Sequence, residues 1–116
     1  MLPKINRLTS SKDFQNITKT GVRVYTDIAV IYALANPTSQ KKAQVGFIVS
    51  KLVGNSVVRH KISRQLRNIV NETLETIPGN IQIVIRALPK ITEIEFSELN
   101  KMIIDSVAKS IVKANV

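Results

Sequence analysis

The sequence predicts an α+β fold, a two-layer sandwich in which three helices pack on a small mixed sheet in the order α-β-β-β-α-β-α. Two observations predict it. Apolar residues recur with a helical period near residues 10–20, 56–77 and 95–113, and strand-like apolar runs lie between these segments. The chain has 116 residues, of which 44% are hydrophobic, which suits one modest core and a single domain over 1–116.

The N-terminal segment predicts an arm followed by a helix. Residues 1–8 are predicted to form an extended basic arm. The helix is predicted to begin at Thr9 or Ser10, because either hydroxyl can cap free backbone amides, and to end at Gly21. Phe14 would face inward from this helix.

The next part of the chain predicts strands. Residues 22–36 are predicted to be strand, because every residue from 28 to 35 is apolar or Tyr. A loop is expected at 36–39 and a further strand over 45–50. Ala29, Ala33 and Ala35 share one face of the first strand region, so another element is expected to pack close to that face.

A long helix and a buried strand come next. A Gly-Asn-Ser turn at 54–56 is predicted to open a helix that runs to about residue 77. Its apolar stripe is expected to include Val58, Ile62 and Leu66. A strand is predicted over 81–86.

The last predicted element is an amphipathic helix. It is expected to begin at Ile94 or Glu95 and to run to residue 113. The residues predicted to face inward are Phe96, Leu99, Ile103, Val107 and Ile111.

Positive charge is concentrated in the first part of the chain. The 17 Lys and Arg against 8 Asp and Glu give a formal net charge of +9. Residues 1–71 carry 12 cations and 2 acids, whereas 72–116 carry 5 cations and 6 acids. No acid lies between Asp27 and Glu72. Such a regional excess attracts polyanions and is typical of a nucleic-acid-binding face.

The sequence lacks the residues that most catalytic sites need. It has no Cys, and its one histidine, His60, stands among cations without an acidic neighbour. The acids lie mostly on predicted outer helix faces, so no carboxylate cluster for a metal is expected. We therefore expect no catalytic residue and no metal site on the protein. No apolar run approaches the roughly 18 residues of a membrane span, so we expect a cytoplasmic protein without membrane contact.

The segment 51–67 is the strongest candidate for an RNA-binding site. Lys61, Arg64 and Arg67 stand three residues apart on a predicted helix, opposite its apolar stripe, and form a ridge suited to successive phosphates. The Gly54-Asn55 turn precedes the helix N-terminus, where free amides and the helix dipole also favour phosphate. The alternative is a solvated surface helix, although such a helix normally interleaves Glu with its cations.

Arg59 is placed differently from the other cations of this helix. A helical wheel puts it toward the apolar side, in the first turn. It is expected either to find a structural partner at the sheet edge or to reach past the sheet edge into a groove. The sequence leaves both alternatives open.

Residues 46–67 resemble the signature of the bacterial ribonuclease P protein subunit. The opening residues 2–8, the segment 12–14 and Gly21 match the N-terminal pattern of that family. The resemblance implies a left-handed β-α-β crossover, as in domain 2 of ribosomal protein S5. Composition cannot predict this crossover, since the usual rule favours the right-handed form.

The resemblance also implies a function. In this family a large RNA removes the 5′ leader of precursor tRNA with Mg²⁺, which the RNA mainly binds, and the protein assists. The expected partners are the catalytic RNA and the precursor tRNA leader, and the protein alone is expected to be a monomer. The residues that the resemblance assigns to the catalytic RNA are Lys51, Asn55, Arg59, His60, Lys61, Arg64 and Arg67; those assigned to the leader are Phe14, Thr18 and Tyr32.

The chain departs from the family pattern at four of the motif and cleft positions. His60 stands where Asn is frequent, Ser63 and Gln65 stand where Arg or Lys is frequent, and Thr18 replaces a second aromatic residue. These departures bear on the strength of RNA contact in the second half of the motif and on stacking at position 18.

Two other functions compete with this one. A ribosomal or ribosome-assembly protein of similar fold would explain the basic helix equally well. A protein-only nuclease is disfavoured by the absence of a carboxylate cluster in the sequence pattern.

Overall fold

Three helices and four strands follow one another in the described residues, 2–36 and 42–115, of the computed structural model, which confirms the predicted order. They are α1 (Ser11–Thr20), β1 (Val22–Tyr25), β2 (Ala29–Ala35), β3 (Gln44–Ile48), α2 (Ser56–Thr73), β4 (Ile81–Ala87) and α3 (Phe96–Ala114). Short 3-10 helices occupy Lys4–Asn6, Leu74–Thr76 and Pro89–Glu93. Most of the predicted loop at 36–39 lies outside the described residues.

The four strands form one mixed sheet in the order β1-β2-β4-β3. The β1–β2 and β2–β4 pairs are antiparallel, whereas β3 and β4 are parallel. The parallel pair is connected through α2, so the β-α-β unit that the resemblance implies is present. Consequently β4, the last strand in sequence, lies in the interior of the sheet.

The predicted strand over 22–36 is two strands, because the chain turns back at Thr26. The Thr26 hydroxyl accepts hydrogen bonds from the backbone amides of Ile28 and Ala29, at 3.3 and 3.0 Å, and the Thr26 amide donates to the Ala29 carbonyl at 2.9 Å. This side-chain turn separates β1 from β2, and the apolar run at 28–35 lies almost wholly in β2.

One face of the sheet carries the main core. Ala29, Ile31 and Ala33 are fully buried on it, beneath α2 and α3. The small side chains of Ala29 and Ala33 let α3 pack close to this face, as predicted. The helices contribute Ile62, Leu66, Ile69, Val70, Leu99, Ile103 and Val107.

The inward prediction for Phe96 is wrong. Its side chain is 47% exposed. Phe96 is the first residue of α3, and helical side chains lean toward the helix N-terminus, so its ring projects beyond the packed part of the helix.

The opposite face of the sheet is covered in part by α1. Ile17 packs there against Val30, Tyr32 and Val84, which are all buried. The sandwich therefore has two layers where α2 and α3 lie and a partial third layer at α1. This arrangement follows from β2, which is apolar on both faces.

Residues 2–8 do not form the free extended arm that the sequence predicts. Leu2 is buried, the Asn6 side-chain amide donates to the Ala43 carbonyl at 2.7 Å, and the Leu8 amide donates to the Val45 carbonyl at 3.0 Å. The segment thus runs beside edge strand β3 and satisfies backbone groups that an exposed edge would leave open. Lys4 remains exposed.

Candidate RNA-binding surface

The turn before α2 is fixed by one side-chain cap and one close contact. The Asn55 Oδ1 atom accepts a hydrogen bond from the Val58 amide at 3.0 Å, as an N-cap residue does. A Cβ at Gly54 would lie 2.8 Å from Val58 Cγ1, so a larger residue would push the turn off the helix. Asn55 therefore has a structural role in addition to its predicted role in RNA contact.

The basic residues of the motif lie on α2 and just before it. Lys51, His60, Lys61 and Arg64 are exposed, whereas Arg59 and Arg67 are half-buried. We call these six residues the α2 basic surface. The single ion pair found among residues 2–36 and 42–115 joins Lys109 to Asp105 on α3, so the cations of the α2 basic surface carry no paired acid.

Arg59 has a buried polar atom without a partner. Among the described residues, its Nε–H is buried and makes no hydrogen bond, so the structural-partner alternative is not met at this atom. Leaving such a donor unsatisfied costs about 1–3 kcal/mol. An acceptor that arrives from outside the chain would remove that penalty.

Two exposed apolar side chains flank the same turn. Leu52 and Val57 are each 77% exposed. The sequence analysis did not predict their exposure. For Val57 it could have done so, because the apolar stripe of α2 passes through Val58 and position 57 therefore faces away from the core.

A cleft of about 200 Å³ connects α1 to α2. The N-terminal segment, α1, β3 and α2 line it, with Leu8, Phe14, Phe47, Ser63 and Arg67 among its walls. Phe14 and Arg67, which the resemblance assigns to different RNAs, are therefore brought to one cleft. Ser63 stands where the family pattern has a long cation, and its short side chain leaves that wall of the cleft open.

Phe14 sets the distance between α1 and the sheet. A Cβ at Gly46 would lie 2.6 Å from Cε1 of the Phe14 ring, so the ring rests directly on the glycine backbone. Phe14 is half-buried in this position and keeps part of its ring at the cleft.

The other two predicted leader residues differ from each other in exposure. Thr18 lies one turn after Phe14 on α1, is half-buried, and donates its hydroxyl to the Phe14 carbonyl at 3.0 Å. Tyr32 is only 8% exposed and packs beneath α1. The structure therefore brings Phe14 and Thr18 to the surface of α1 and leaves Tyr32 mostly covered.

Arg23 is a further residue of this region that sequence reasoning missed. Its guanidinium donates to the Thr18 carbonyl at 3.1 Å and to the Tyr25 hydroxyl at 3.4 Å, and its Cζ lies 5.6 Å from the centroid of the Tyr32 ring. The hydrogen bond to Tyr25 raises the pKa of Arg23 above its ordinary value. The sequence offered one indication of this contact, since Arg23 follows the Gly that ends α1 by two residues and a cation there can donate to the last carbonyls of the helix.

The described residues hold no group of three or more His, Asp or Glu side chains that could bind a metal ion. None of the helices in the described ranges has the length and apolar character needed to cross a bilayer. The candidate site consists of cations, hydroxyls and aromatic rings, which are side chains that nucleic-acid-binding proteins commonly use.

Comparison with known proteins decides the family. The model of the Ribonuclease P family matches residues 2–111. The chain belongs to the ribonuclease P protein family. This confirms the resemblance carried by residues 46–67 and favours it over the ribosomal alternative.

Relatives and solved structures agree with the assignment. The ribonuclease P protein component of Acidothermus cellulolyticus is 41% identical over 99 residues, covering 85% of this chain and 82% of the relative. That of Clavibacter michiganensis is 35% identical over 111 residues, covering 96% and 97%. The structure of the Staphylococcus aureus RNase P protein superimposes with a TM-score of 0.79 at 25% identity, covering 91% of this chain and 97% of that one. Ribonuclease P is an endoribonuclease holoenzyme, and proteins of this family are its protein subunit.

Proposed function

We propose that this chain binds the catalytic RNA of ribonuclease P through the α2 basic surface. It also holds the 5′ leader of precursor tRNA in the cleft beside Phe14. The RNA cleaves the leader, and the protein positions the substrate. The observation that carries the proposal is the α2 basic surface itself, whose unpaired cations adjoin a capped helix N-terminus and a cleft.

Phosphate binding by α2 has three supports. The exposed cations meet no acid of the described chain, so phosphates face no competitor for them. The first turn of α2 offers backbone amides and the positive end of the helix dipole. The unpartnered Nε–H of Arg59 gains an acceptor if a phosphate or a base approaches the first turn.

Leader binding rests on the aromatic and polar character of the cleft. Phe14 offers part of a ring on which an unpaired base can stack, and Arg67 supplies a cation to the same cleft. Thr18 adds a small hydroxyl-bearing surface along α1. Tyr32 lies beneath α1, where its ring supports the helix. Only the exposed edge of that ring contacts the leader.

Mg²⁺ belongs to the RNA in this proposal. Phosphate crowding at the RNA active site is relieved by metal ions, and the cations of the protein reduce the concentration of metal that folding and substrate binding need. The protein alone is a monomer, and the complex works in the cytoplasm.

A reconstitution tests the division of labour. Cleavage of precursor tRNA is measured over a Mg²⁺ titration with the protein alone, the cognate RNA alone, and both together. We expect no cleavage by the protein alone and a lower Mg²⁺ midpoint for the complex than for the RNA alone. Cleavage by RNA-free protein, or an unchanged midpoint, contradicts the proposal.

A second experiment identifies the RNA partner directly. The tagged chain is purified from its own cells at moderate salt, and the RNA that accompanies it is sequenced. We expect ribonuclease P RNA to be enriched over total RNA. Enrichment of ribosomal RNA alone would support ribosome assembly instead.

A further inference from the structure

A second groove lies between the end of α2 and the side of α3. It has a volume of about 200 Å³, and its lining comes from α2, from the 3-10 helix that follows α2 and from α3: Thr73, Thr76, Ile104, Val107, Ala108 and Ile111. We call it the α2–α3 groove. It shares no lining residue with the cleft beside Phe14, and the motif ends at Arg67, before the groove begins.

The hydroxyl protons of the groove are already engaged within the chain. The Thr73 hydroxyl donates to the carbonyls of Ile69 and Val70, at 3.4 and 3.2 Å. The Thr76 hydroxyl donates to the Thr73 carbonyl at 2.6 Å. The other lining side chains are aliphatic. The α2–α3 groove therefore suits aliphatic side chains better than polar ligands, which would lose their water without gaining hydrogen-bond donors.

An exposed row of α3 side chains borders the groove. Residues four apart lie above one another on a helix, so Ile104, Ala108 and Val112 form one row. Ile104 is 37% exposed, Val112 is 66% exposed, and Ala108 between them is exposed as well. The small Ala108 side chain leaves a notch between two larger ones, into which a side chain of another helix can pack. This shape fits an amphipathic helix laid in the groove.

The α2 side of the groove is acidic. Glu72 directly precedes Thr73, and Glu75 directly precedes Thr76. Both carboxylates are exposed, and neither forms an ion pair with another residue of the described ranges. An occupant with cations along this flank would gain two attractive contacts, whereas an anionic occupant would be repelled.

The cations on the second half of α3 do little to offset these acids. Lys109 pairs with Asp105, and Lys113 donates to the Arg23 carbonyl at 2.8 Å, on β1. Lys101, one turn before the groove, is the one remaining cation of this part of α3. The free charge beside the groove is therefore negative on its α2 side.

The same row of α3 begins with an unsatisfied hydrogen-bond acceptor. Asn100 stands four residues before Ile104, and its Oδ1 atom is buried and has no hydrogen-bond partner among the described residues. Asn100 as a whole is half-buried, so part of it can be reached from outside. A buried acceptor without a donor is unfavourable, so an occupant that carries N–H donors at this end of the groove would be favoured.

We propose that the α2–α3 groove is a docking site for a cationic amphipathic helix of another protein. Aliphatic side chains of that helix pack into the groove and into the notch at Ala108. Its Lys or Arg side chains lie along the α2 flank and meet Glu72 and Glu75. RNA is a poor occupant, because its phosphates would face the same carboxylates. A second copy of this chain, docked groove to groove, would bring the two acidic flanks together.

The docking site and the α2 basic surface use different parts of α2. The basic residues of the motif lie between Lys51 and Arg67, whereas the groove begins at Thr73. The chain can therefore hold the catalytic RNA and a protein partner at the same time. This inference does not depend on the proposed function, and each can fail without the other.

The test uses a synthetic helical peptide of Leu and Lys, about 15 residues long so that a helix can form, with all Leu on one face. A scrambled peptide of the same composition has no apolar face. Each is added to the full chain without RNA, and binding is followed by the backbone amide shifts in NMR spectra and by fluorescence anisotropy. Because the chain itself carries a net charge of +9, a cationic peptide has no general attraction to it.

We expect the amphipathic peptide to shift the amides of Thr76, Ile104 and Ala108, and the scrambled peptide to leave them unchanged. Ala108→Gln fills the notch with a polar side chain and should weaken binding about tenfold. It should leave cleavage of precursor tRNA by the reconstituted holoenzyme unchanged.

A pair of double variants tests the acidic flank. Glu72→Gln with Glu75→Gln should weaken binding of the amphipathic peptide about threefold, as expected for two exposed ion pairs. Glu93→Gln with Glu95→Gln is the matched control, because it changes the net charge equally at two exposed positions before α3. The control should bind the peptide as the unsubstituted chain does.

Four outcomes would overturn the inference. The absence of shifts at the groove shows that it does not accept such a helix. Equal binding of the scrambled peptide shows that the apolar face has no part in the contact. Equal losses in the two double variants show that net charge, and not the flank of the groove, attracts the peptide. A loss of holoenzyme cleavage in Ala108→Gln assigns the groove to the RNA complex instead of a protein partner.

Discussion

Helices α2 and α3 have the same packing role and opposite electrostatic characters. They have 18 and 19 residues, cover the same face of the sheet and bury comparable apolar stripes. On its outer face, α3 mixes acids with cations and forms the Lys109–Asp105 ion pair, with Nζ and Oδ2 3.1 Å apart. On α2, no acid precedes Glu72. The buried stripes explain the fold, and the unpaired cations on α2 distinguish its outer face from that of α3.

The largest expected effect comes from removing the ridge. The triple substitution Lys61→Gln, Arg64→Gln and Arg67→Gln should weaken binding to the catalytic RNA about 100-fold or more, at about 1 kcal/mol for each phosphate contact. Filter binding or fluorescence anisotropy measures it.

The matched control removes three exposed cations from the other part of the chain, Lys90, Lys101 and Lys109. Their replacement by Gln changes the net charge equally but should shift the Kd by less than about threefold, because they face no bound phosphate. Equal losses in both variants would mean that total charge, and not the α2 basic surface, determines binding.

Salt dependence sharpens the same contrast. If about five cations contact phosphates, log K should fall with log salt at a slope of roughly −3.5 to −4.5. The ridge variant should lose about 2 to 3 of that slope, whereas the control variant keeps it. Binding isotherms over a salt series give both slopes, and a flat response of the unsubstituted chain would reject a phosphate-dominated interface.

The helix caps give a smaller, purely structural difference. Asn55→Ala removes the bond from the Val58 amide and should lower the free energy of unfolding by about 1 kcal/mol. Glu95 stands at the equivalent position of α3 but makes no side-chain cap bond, so Glu95→Ala should change stability by less than about 0.5 kcal/mol. Urea denaturation measures both, and equal effects would contradict the assignment of the cap.

The smallest effect is expected from the ion pair on α3. Lys109 and Asp105 are each 67% exposed, so water and salt screen their attraction. Asp105→Asn should change the free energy of unfolding by less than about 0.5 kcal/mol and leave RNA affinity unaltered. A larger loss of stability would give α3 an electrostatic role that its exposure does not support.

The fold was predictable where a periodic pattern meets no competing local interaction. The apolar stripe of α2 through Ile62 and Leu66 and the small-residue face of β2 were both predicted to be buried, and both lie in the main core. The break at Thr26 was not predicted, because the turn depends on hydrogen bonds from the Ile28 and Ala29 amides to the Thr26 hydroxyl, just before the apolar run at 28–35 begins. Phe96 was misplaced because a helical wheel carries no information on where the packed part of a helix ends.

The basic part of the site was predictable and the cleft was not. Lys61 and Arg64 are exposed as the wheel predicts, since their positions depend only on the helix. The depth of Tyr32 depends on which helix covers which face of β2, and a strand that is apolar on both faces leaves that choice open.

The interior position of β4 has a consequence for how the chain folds during synthesis. Strand β2 pairs with β4 through partners such as Ala29 and Ala87, and β3 pairs with the other edge of β4. Strand β2 can pair with β1 early, but neither β2 nor β3 can pair with β4 until residues 81–87 have been synthesised. The Lys113 ammonium donates to the Arg23 carbonyl, at 2.8 Å, only when the last turn of α3 is complete. Such distant pairings form late and slowly, so the sheet is completed only after the whole of α2 has been synthesised.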